Sequence, residues 1–374
     1  MIVKEIKAKS ILRKHKKVDS WFVCRYGMNL YRGCIHNCVY CDGRAEKYNV
    51  EGEFGRTVTV KVNALEILSQ ELDPSKKRVP LKPGYVLVGG GVGDAYQPTE
   101  KQYEMTRKVL ELLYQLGRPI HILTKSVLVE RDLDLIKKIN EKERAIVSFS
   151  FSSADDRISA IFEPGVPPPS HRLETMARIK KAGIPCGLFL MPVIPFITDT
   201  PEKMEETFKK AHDAGVDFIV FGGMTLKEGR QKDYFHAVLQ ENYPEHLAEY
   251  ALIYPENKWG RAGKAYYDAI NTVFMSLAQK YKIPVRIPPH LYKEFLDQND
   301  LVVVILEHLD YILRLKGQSS PYRYAACSVS KLNKPLAAMQ GSLRSLKGVG
   351  KVNEGIIREI LRTGSSIYYE RLLG

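Results

Sequence analysis

Three cysteines fall within eight residues, Cys34-Ile35-His36-Asn37-Cys38-Val39-Tyr40-Cys41, at spacing Cys-x3-Cys-x2-Cys. Thiolates on one short loop can turn toward a single soft metal centre, either zinc or an iron–sulfur cluster. A four-iron cube with three protein ligands leaves one iron open for a further ligand. Two other readings fit the same residues. The triplet could be a zinc knuckle completed by His36, but His36 lies inside the first spacer, poorly placed for the same tetrahedron, and no second Cys-x2-Cys pair occurs. It could also be three small buried hydrophobes. Six cysteines in 374 residues make no disulfide framework, and their clustering argues for metal in a reducing cytoplasm.

The elements that must position this loop can be read from periodicity. Gly27–Gly33 reads as a first strand running into the cysteines, and Tyr85–Val88 as a buried strand ending in Gly89-Gly90-Gly91. Thr99 has the capping-box pattern of one long helix, Glu100–Leu116, with Gln102 reaching back. Strands are expected at Ile120–Thr124, Ala145–Ser152, Cys186–Met191 and Phe218–Phe221, and helices at Asn63–Leu72, Arg131–Glu141, Ser170–Ala182 and Pro201–Ala214. Six short apolar strands alternating with helices predict parallel βα units in an α/β fold. Glycines and polar residues gather after the strands, the end where a curved parallel sheet carries its site. Periodicity leaves a partial barrel and an open doubly wound sheet equally possible.

Together the motifs Tyr31-Arg32-Gly33-Cys34, Cys38-Val39-Tyr40-Cys41-Asp42, Gly89-Gly90-Gly91, Gly93–Glu100, Thr124-Lys125-Ser126, Glu163-Pro164 and Arg172 resemble the spore photoproduct lyase-like family of radical S-adenosylmethionine (SAM) proteins over roughly residues 25–310. The resemblance implies a partial (β/α)6 TIM-like barrel. It implies a [4Fe-4S] cluster on Cys34, Cys38 and Cys41, with SAM on the open iron, reduced by a donor such as flavodoxin or ferredoxin and cleaved to a 5′-deoxyadenosyl radical. Tyr40 would lie beside the adenine, Gly89, Gly90 and Gly91 would meet the methionyl amino group, and Asp94 would replace the usual acidic residue there. Lys125, Ser148 and Ser150 are candidates for the carboxylate and ribose; Ser148 and Ser150 could equally satisfy each other in the lumen. True spore photoproduct lyases carry a hydrogen-donating cysteine after the second strand. This chain has Gly91-Val92-Gly93 there, so the candidate hydrogen donors are Cys24, Cys186 and Cys327, each of which also reads as structural, and Tyr96, which also reads as a packing or substrate-stacking residue.

The net charge of +13 is concentrated at the two ends, in residues 1–25 and 331–374. Such ends suit a polyanion, most simply nucleic acid, or a merely solvated surface. Leu343–Ile357 resembles a helix-hairpin-helix, whose Gly348-Val349-Gly350 turn, flanked by Lys347 and Lys351, would hold phosphates without reading bases. A helical pair that only packs the C-terminus is the plain alternative. The expected organisation is a basic lead-in (1–25), a barrel (26–224), a helical extension (225–330) and the hairpin tail (331–374). The start lacks a signal-peptide core and no apolar run is long enough to span a bilayer, so the expectation is a cytoplasmic protein with no membrane partner. The reading that joins these features is a radical SAM enzyme acting on nucleic acid, DNA more than RNA. A radical enzyme for a peptide or small metabolite, and a non-enzymatic metal-stabilised nucleic-acid binding protein, remain open at this point.

Overall fold

The computed structural model describes residues 1–48, 50–76, 80–89, 92–255, 257–339 and 343–374. Among the described residues ten strands form: β1 (Ile2–Ile6), β2 (Leu12–Asp19), β3 (Cys24–Met28), β4 (Tyr31–Arg32), β5 (Thr57–Lys61), β6 (Tyr85–Val88), β7 (Ile120–Thr124), β8 (Ala145–Phe151), β9 (Cys186–Val193) and β10 (Phe218–Gly223). β10-β9-β8-β7-β6-β3-β2 make one seven-stranded sheet, curled into a half barrel, in which only β2 runs antiparallel. The six parallel strands are almost wholly buried because helices cover the outer face and side chains fill the inner one.

The first barrel strand is shorter and earlier than periodicity predicts. The chain leaves the sheet after Met28, and Tyr31–Arg32 pairs instead with β5, in a small β1-β5-β4 sheet. That sheet carries the cysteine loop over the strand ends. Residues 1–25 are likewise built in: β1 joins the small sheet and β2 becomes an edge of the large one. Trp21 and Phe22 do anchor this segment, Phe22 stacked on Phe189 at 5.2 Å and Trp21 edge-on to Tyr311 at 5.5 Å.

The expected long helix after Thr99 is broken. Glu100–Tyr103 and Met105–Gln115 are separated by Glu104 at φ +49°, and Thr99 makes no side-chain cap. The reason is Glu100. Its buried carboxylate turns inward to accept the Thr106 N–H at 3.0 Å, the Tyr31 hydroxyl and Arg131, so it starts a second helix instead of extending the first.

The helix Gln298–Leu315 closes the open side of the half barrel. It is buried around most of its circumference. Glu307 pairs with Lys17 of β2, His308 Nε2 lies 2.7 Å from the Ser20 carbonyl, and the Tyr311 hydroxyl donates to the Phe221 carbonyl of β10 at 2.6 Å. The C-terminal helices Tyr322–Ser330, Lys351–Thr363 and Ile367–Leu373 pack on this helix. A 3-10 turn, Pro289–Leu291, precedes this helix. Among the described residues, a 3-10 turn, Leu343–Ser345, stands directly before the Gly348 turn where the hairpin motif would have its first helix. No helix among the described residues is long and apolar enough to cross a membrane.

Candidate active site at the barrel mouth

The cysteine loop has almost no regular structure of its own, so side chains and backbone groups of neighbouring segments hold it. The Gln97 amide donates to the Gly33 carbonyl at 3.2 Å and accepts the Ile35 N–H at 3.0 Å. Arg44 donates to the Cys38 carbonyl at 3.0 Å and the Asn37 carbonyl at 3.1 Å, its guanidinium lying between the rings of Tyr234 (3.7 Å) and Phe54 (4.8 Å). The Val39 N–H donates to the Phe162 carbonyl, and the Gly165 N–H to the His36 carbonyl. Beyond Cys41, Asp42 accepts from Thr225 (2.7 Å), Lys227 (2.6 Å) and Gln231 (3.1 Å). The bonds to the loop carbonyls and N–H groups satisfy backbone groups that burial would otherwise leave without water.

Cys34, Cys38 and Cys41 are free thiols lining one cavity of about 110 Å³, whose other walls include Asp94, Lys125 and Ser150. Among the described residues no three His, Cys, Asp or Glu side chains already stand as a closed metal cage; the thiols share a pocket with open space beyond them. Burial pushes all three thiols above the ordinary thiol value, and the Lys125 ammonium works against that at Cys38 and Cys41. A bound cation would oppose the burial cost directly and hold them as thiolates. His36 does not complete a tetrahedron. Its Nδ1 is 2.9 Å from the Gly165 carbonyl oxygen and its Nε2 3.2 Å from Asp94 Oδ2. The donor set is thus three soft sulfurs with a polar, cationic space beside them, which fits an iron–sulfur cluster and a second ligand better than zinc.

Opposite the thiols, Lys125 Nζ donates to the Ser150 hydroxyl (3.0 Å), the Ser150 carbonyl (3.1 Å) and Glu163 Oε1 (2.9 Å). Glu163 is the hub of this wall. It also accepts from the Tyr40 hydroxyl, from Ser159 at 3.0 Å and from Arg172 Nη2 at 2.5 Å. Burial alone would raise its carboxyl, but Arg172, Lys125 and the Tyr40 hydrogen bond hold it well below the usual carboxylate range. Asp94 plays the matching part on the other wall: it accepts from Thr124 (2.7 Å) and the N–H groups of Tyr96 (2.8 Å) and Lys125 (2.7 Å).

The structure brings Asp94, Lys125 and Ser150 into the cysteine cavity; Tyr40 is buried behind Lys125, whose Nζ lies 5.5 Å from its ring centroid, with its hydroxyl on Glu163. It does not bring Ser148 there: Ser148 sits one pleat deeper, its hydroxyl 2.8 Å from His121 Nε2. Tyr96 is fully buried and lines a separate recess behind His36, so its hydroxyl does not face the thiols. Gly89 borders a small recess with Asp94 and Ala95, while Gly90 and Gly91 lie outside the described residues. At the tail, Lys347, Gly348, Gly350 and Lys351 share an exposed groove on the helix Tyr322–Ser330 side. Sequence reasoning gave no role to Glu163, Arg172, Gln97 or Arg44. The available signal was the presence of Gln97, Glu163 and Arg172 in the motifs that carry the family resemblance.

Comparison with known proteins places these features in context. The profile of the Radical SAM superfamily matches residues 28–201. An uncharacterised protein of Methanocaldococcus jannaschii is 31% identical over 252 residues, covering 67% of this chain and 86% of that protein. An uncharacterised protein of Mycobacterium tuberculosis is 29% identical over 283 residues, 75% of this chain and 81% of that one. Spore photoproduct lyase of Bacillus subtilis is 27% identical over 263 residues, 68% of this chain and 71% of the lyase. Among solved structures, a spore photoproduct lyase complexed with dinucleoside spore photoproduct shares the fold, with a TM-score of 0.55 at 16% identity over 75% of this chain and 79% of that one.

Proposed function

The chain belongs to the radical SAM superfamily and is a radical SAM enzyme; from that premise we propose that Cys34, Cys38 and Cys41 hold its [4Fe-4S] cluster and that its substrate is a nucleic acid, DNA in preference to RNA. The observation that carries the site is the convergence of three free thiols, Lys125 and Ser150 on one pocket. When bound, the cluster and SAM supply one-electron reductive cleavage to a 5′-deoxyadenosyl radical, with the electron delivered by a small protein donor such as flavodoxin or ferredoxin.

The chain's own residues bind and orient. Lys125 Nζ, held by Ser150 and Glu163, presents a fixed positive charge for the methionyl carboxylate, and the Ser150 hydroxyl offers a polar contact beside it. Tyr40 is pinned through its hydroxyl to Glu163, which fixes its ring next to the third cysteine as an adenine neighbour. Asp94 commits its oxygens to Thr124, Tyr96 and Lys125 and braces the wall.

Support for nucleic acid is the net charge of +13 and similarity to an enzyme whose solved complex holds a dinucleoside lesion. In this reading residues 331–374 are a phosphate-gripping tail. Its Lys347 and Lys351 flank the Gly348–Gly350 turn at the free N-terminus of the helix Lys351–Thr363.

The test is anaerobic reconstitution with iron and sulfide, followed by SAM and a reductant. The expected result is about four irons per chain and production of 5′-deoxyadenosine. Stoichiometric zinc with no SAM cleavage sinks the enzyme reading. Deuterium passing from a labelled oligonucleotide, and not from peptides, into 5′-deoxyadenosine is the expected outcome for the substrate class.

A further inference from the structure

The sequence holds two tryptophans. Trp21 is packed in the fold, but Trp259 is 55% exposed. Tryptophan is enriched at contact surfaces, and the way this one is mounted is informative.

Trp259 sits on a short loop that is fixed on all sides. The Asn257 side chain accepts the N–H groups of Trp259 (3.1 Å) and Arg261 (3.0 Å) and donates to the carbonyls of Pro255 and Arg261, both at 2.8 Å. The loop then docks on the segment that follows β10. The Leu226 N–H donates to the Gly260 carbonyl at 2.7 Å, and Arg261 bridges Thr225. At Gly260 (φ +60°) a Cβ would lie 2.3 Å from the Leu226 backbone, so only glycine lets the loop come this close. Thr225 in turn donates to Asp42, the neighbour of Cys41. A continuous bonded path therefore runs from the cysteine loop to the Trp259 loop, on the mouth side of the barrel.

The surroundings are cationic. Lys258 Nζ lies over the indole ring, 5.3 Å from its centroid, Arg261 two residues on is exposed, and neither forms an ion pair among the described residues. An exposed indole on a braced loop that also carries two cations without ion pairs suits an unpaired base and its flanking phosphates. The ring stacks on any base, the cations take the backbone, and little side-chain entropy is lost. We infer that Trp259, with Lys258 and Arg261, is a stacking platform for an unpaired nucleobase at the barrel mouth. This rests on the nucleic-acid reading above and adds where the strand is gripped beside the reacting centre.

The experiment uses the full chain carrying Trp21→Phe, so that Trp259 is the sole indole. A fluorescein-labelled single-stranded oligonucleotide reports binding by anisotropy, and unlabelled oligonucleotide reports contact by quenching of tryptophan emission. Quenching that saturates with the anisotropy, together with about tenfold weaker binding for Trp259→Ala and a smaller loss for Trp259→Phe, is expected. Oligonucleotide binding without quenching, and unchanged by Trp259→Ala, overturns the platform and leaves the nucleic-acid reading standing. No oligonucleotide binding at low salt overturns both. Quenching by a second copy of the chain alone, seen as concentration-dependent emission without oligonucleotide, overturns the platform in favour of a protein contact.

Discussion

Replacing Glu163 by Gln tests whether the wall opposite the cysteines is an electrostatic keystone. Glu163 is 1% exposed and Arg172 is fully buried, with Arg172 Nη2 2.5 Å and Lys125 Nζ 2.9 Å from its carboxylate. Glutamine keeps the shape and one acceptor but removes the charge. Arg172 and Lys125 are then left facing an amide, and breaking a buried pair from one side costs about 3–5 kcal/mol. Spread over an unfolding entropy of about 2.1 cal/mol/K per residue, the 374-residue chain should lose about 4–6 °C of melting temperature. Calorimetry on the metal-free chain measures this without any contribution from the cluster. The partner variant Arg172→Met should cost a similar amount. The double variant should cost clearly less than the sum, because each charge is unfavourable chiefly without the other. A Glu163→Gln melting point within about 1 °C of the parent, or simple additivity in the double variant, refutes the claim that this pair shapes the site.

Three further outcomes are expected. His121 is buried, its Nδ1 2.8 Å from the Phe22 carbonyl and its Nε2 2.8 Å from the Ser148 hydroxyl; burial lowers its pKa to about 4. His308 sits between Tyr369 and the Ser20 carbonyl and is lowered to about 3 by burial and then by Arg286. Both are neutral when folded, so the unfolded chain takes up protons first as pH falls below 6.5. Stability is full above that pH and should drop by about 1.4 kcal/mol per unit for each histidine down toward pH 4; urea midpoints that stay flat between pH 7 and 5 contradict this. Gly348 has φ +83°, and a Cβ there would lie 2.6 Å from Tyr324 Cβ, whereas a Cβ on Gly350 meets nothing. Gly348→Ala should therefore destabilise the tail by about 1–3 kcal/mol and Gly350→Ala far less, as read by hydrogen exchange of the helix Lys351–Thr363. For the phosphate role, Lys347→Ala and Lys351→Ala should each lower the salt slope of DNA binding by about one, equally for all sequences; unchanged slopes remove the tail from the interface.

What the sequence made legible was whatever depends on local period and spacing. The strands at Tyr85–Val88 and Ile120–Thr124 fall where the apolar runs place them, and the cysteine triplet lies at the strand ends as the βα alternation requires. What it concealed depends on partners distant in the chain. Glu100 reads as an ordinary first-turn acid beside a capping threonine, yet it is taken by Tyr31, 69 residues away, and by Arg131, and the helix breaks there. Ser148 and Ser150 look equivalent on an alternating strand. Only the neighbouring strands separate them, since His121 claims the first and Lys125 the second.

The same reasoning explains why the cysteine loop could be recognised while its support could not. Its ligand spacing is a local property, fixed by what one metal centre can reach. Its position is non-local: Gln97, Gly165, Thr225 and Gln231 all bond to it, and none carries a local signature of that task. A loop with so little regular structure would otherwise expose its backbone groups to a buried, low-dielectric pocket at a cost of about 1–3 kcal/mol each. The many buried side-chain bonds are therefore what lets three thiols face one pocket before any metal binds. It follows that Gln97→Ala, which orphans the Gly33 carbonyl and the Ile35 N–H together, should impair iron retention although Gln97 touches no ligand sulfur. Iron release to a chelator measures this: faster release from Gln97→Ala than from the parent, at equal starting iron, is expected, and equal rates would show that the cysteine spacing alone holds the centre.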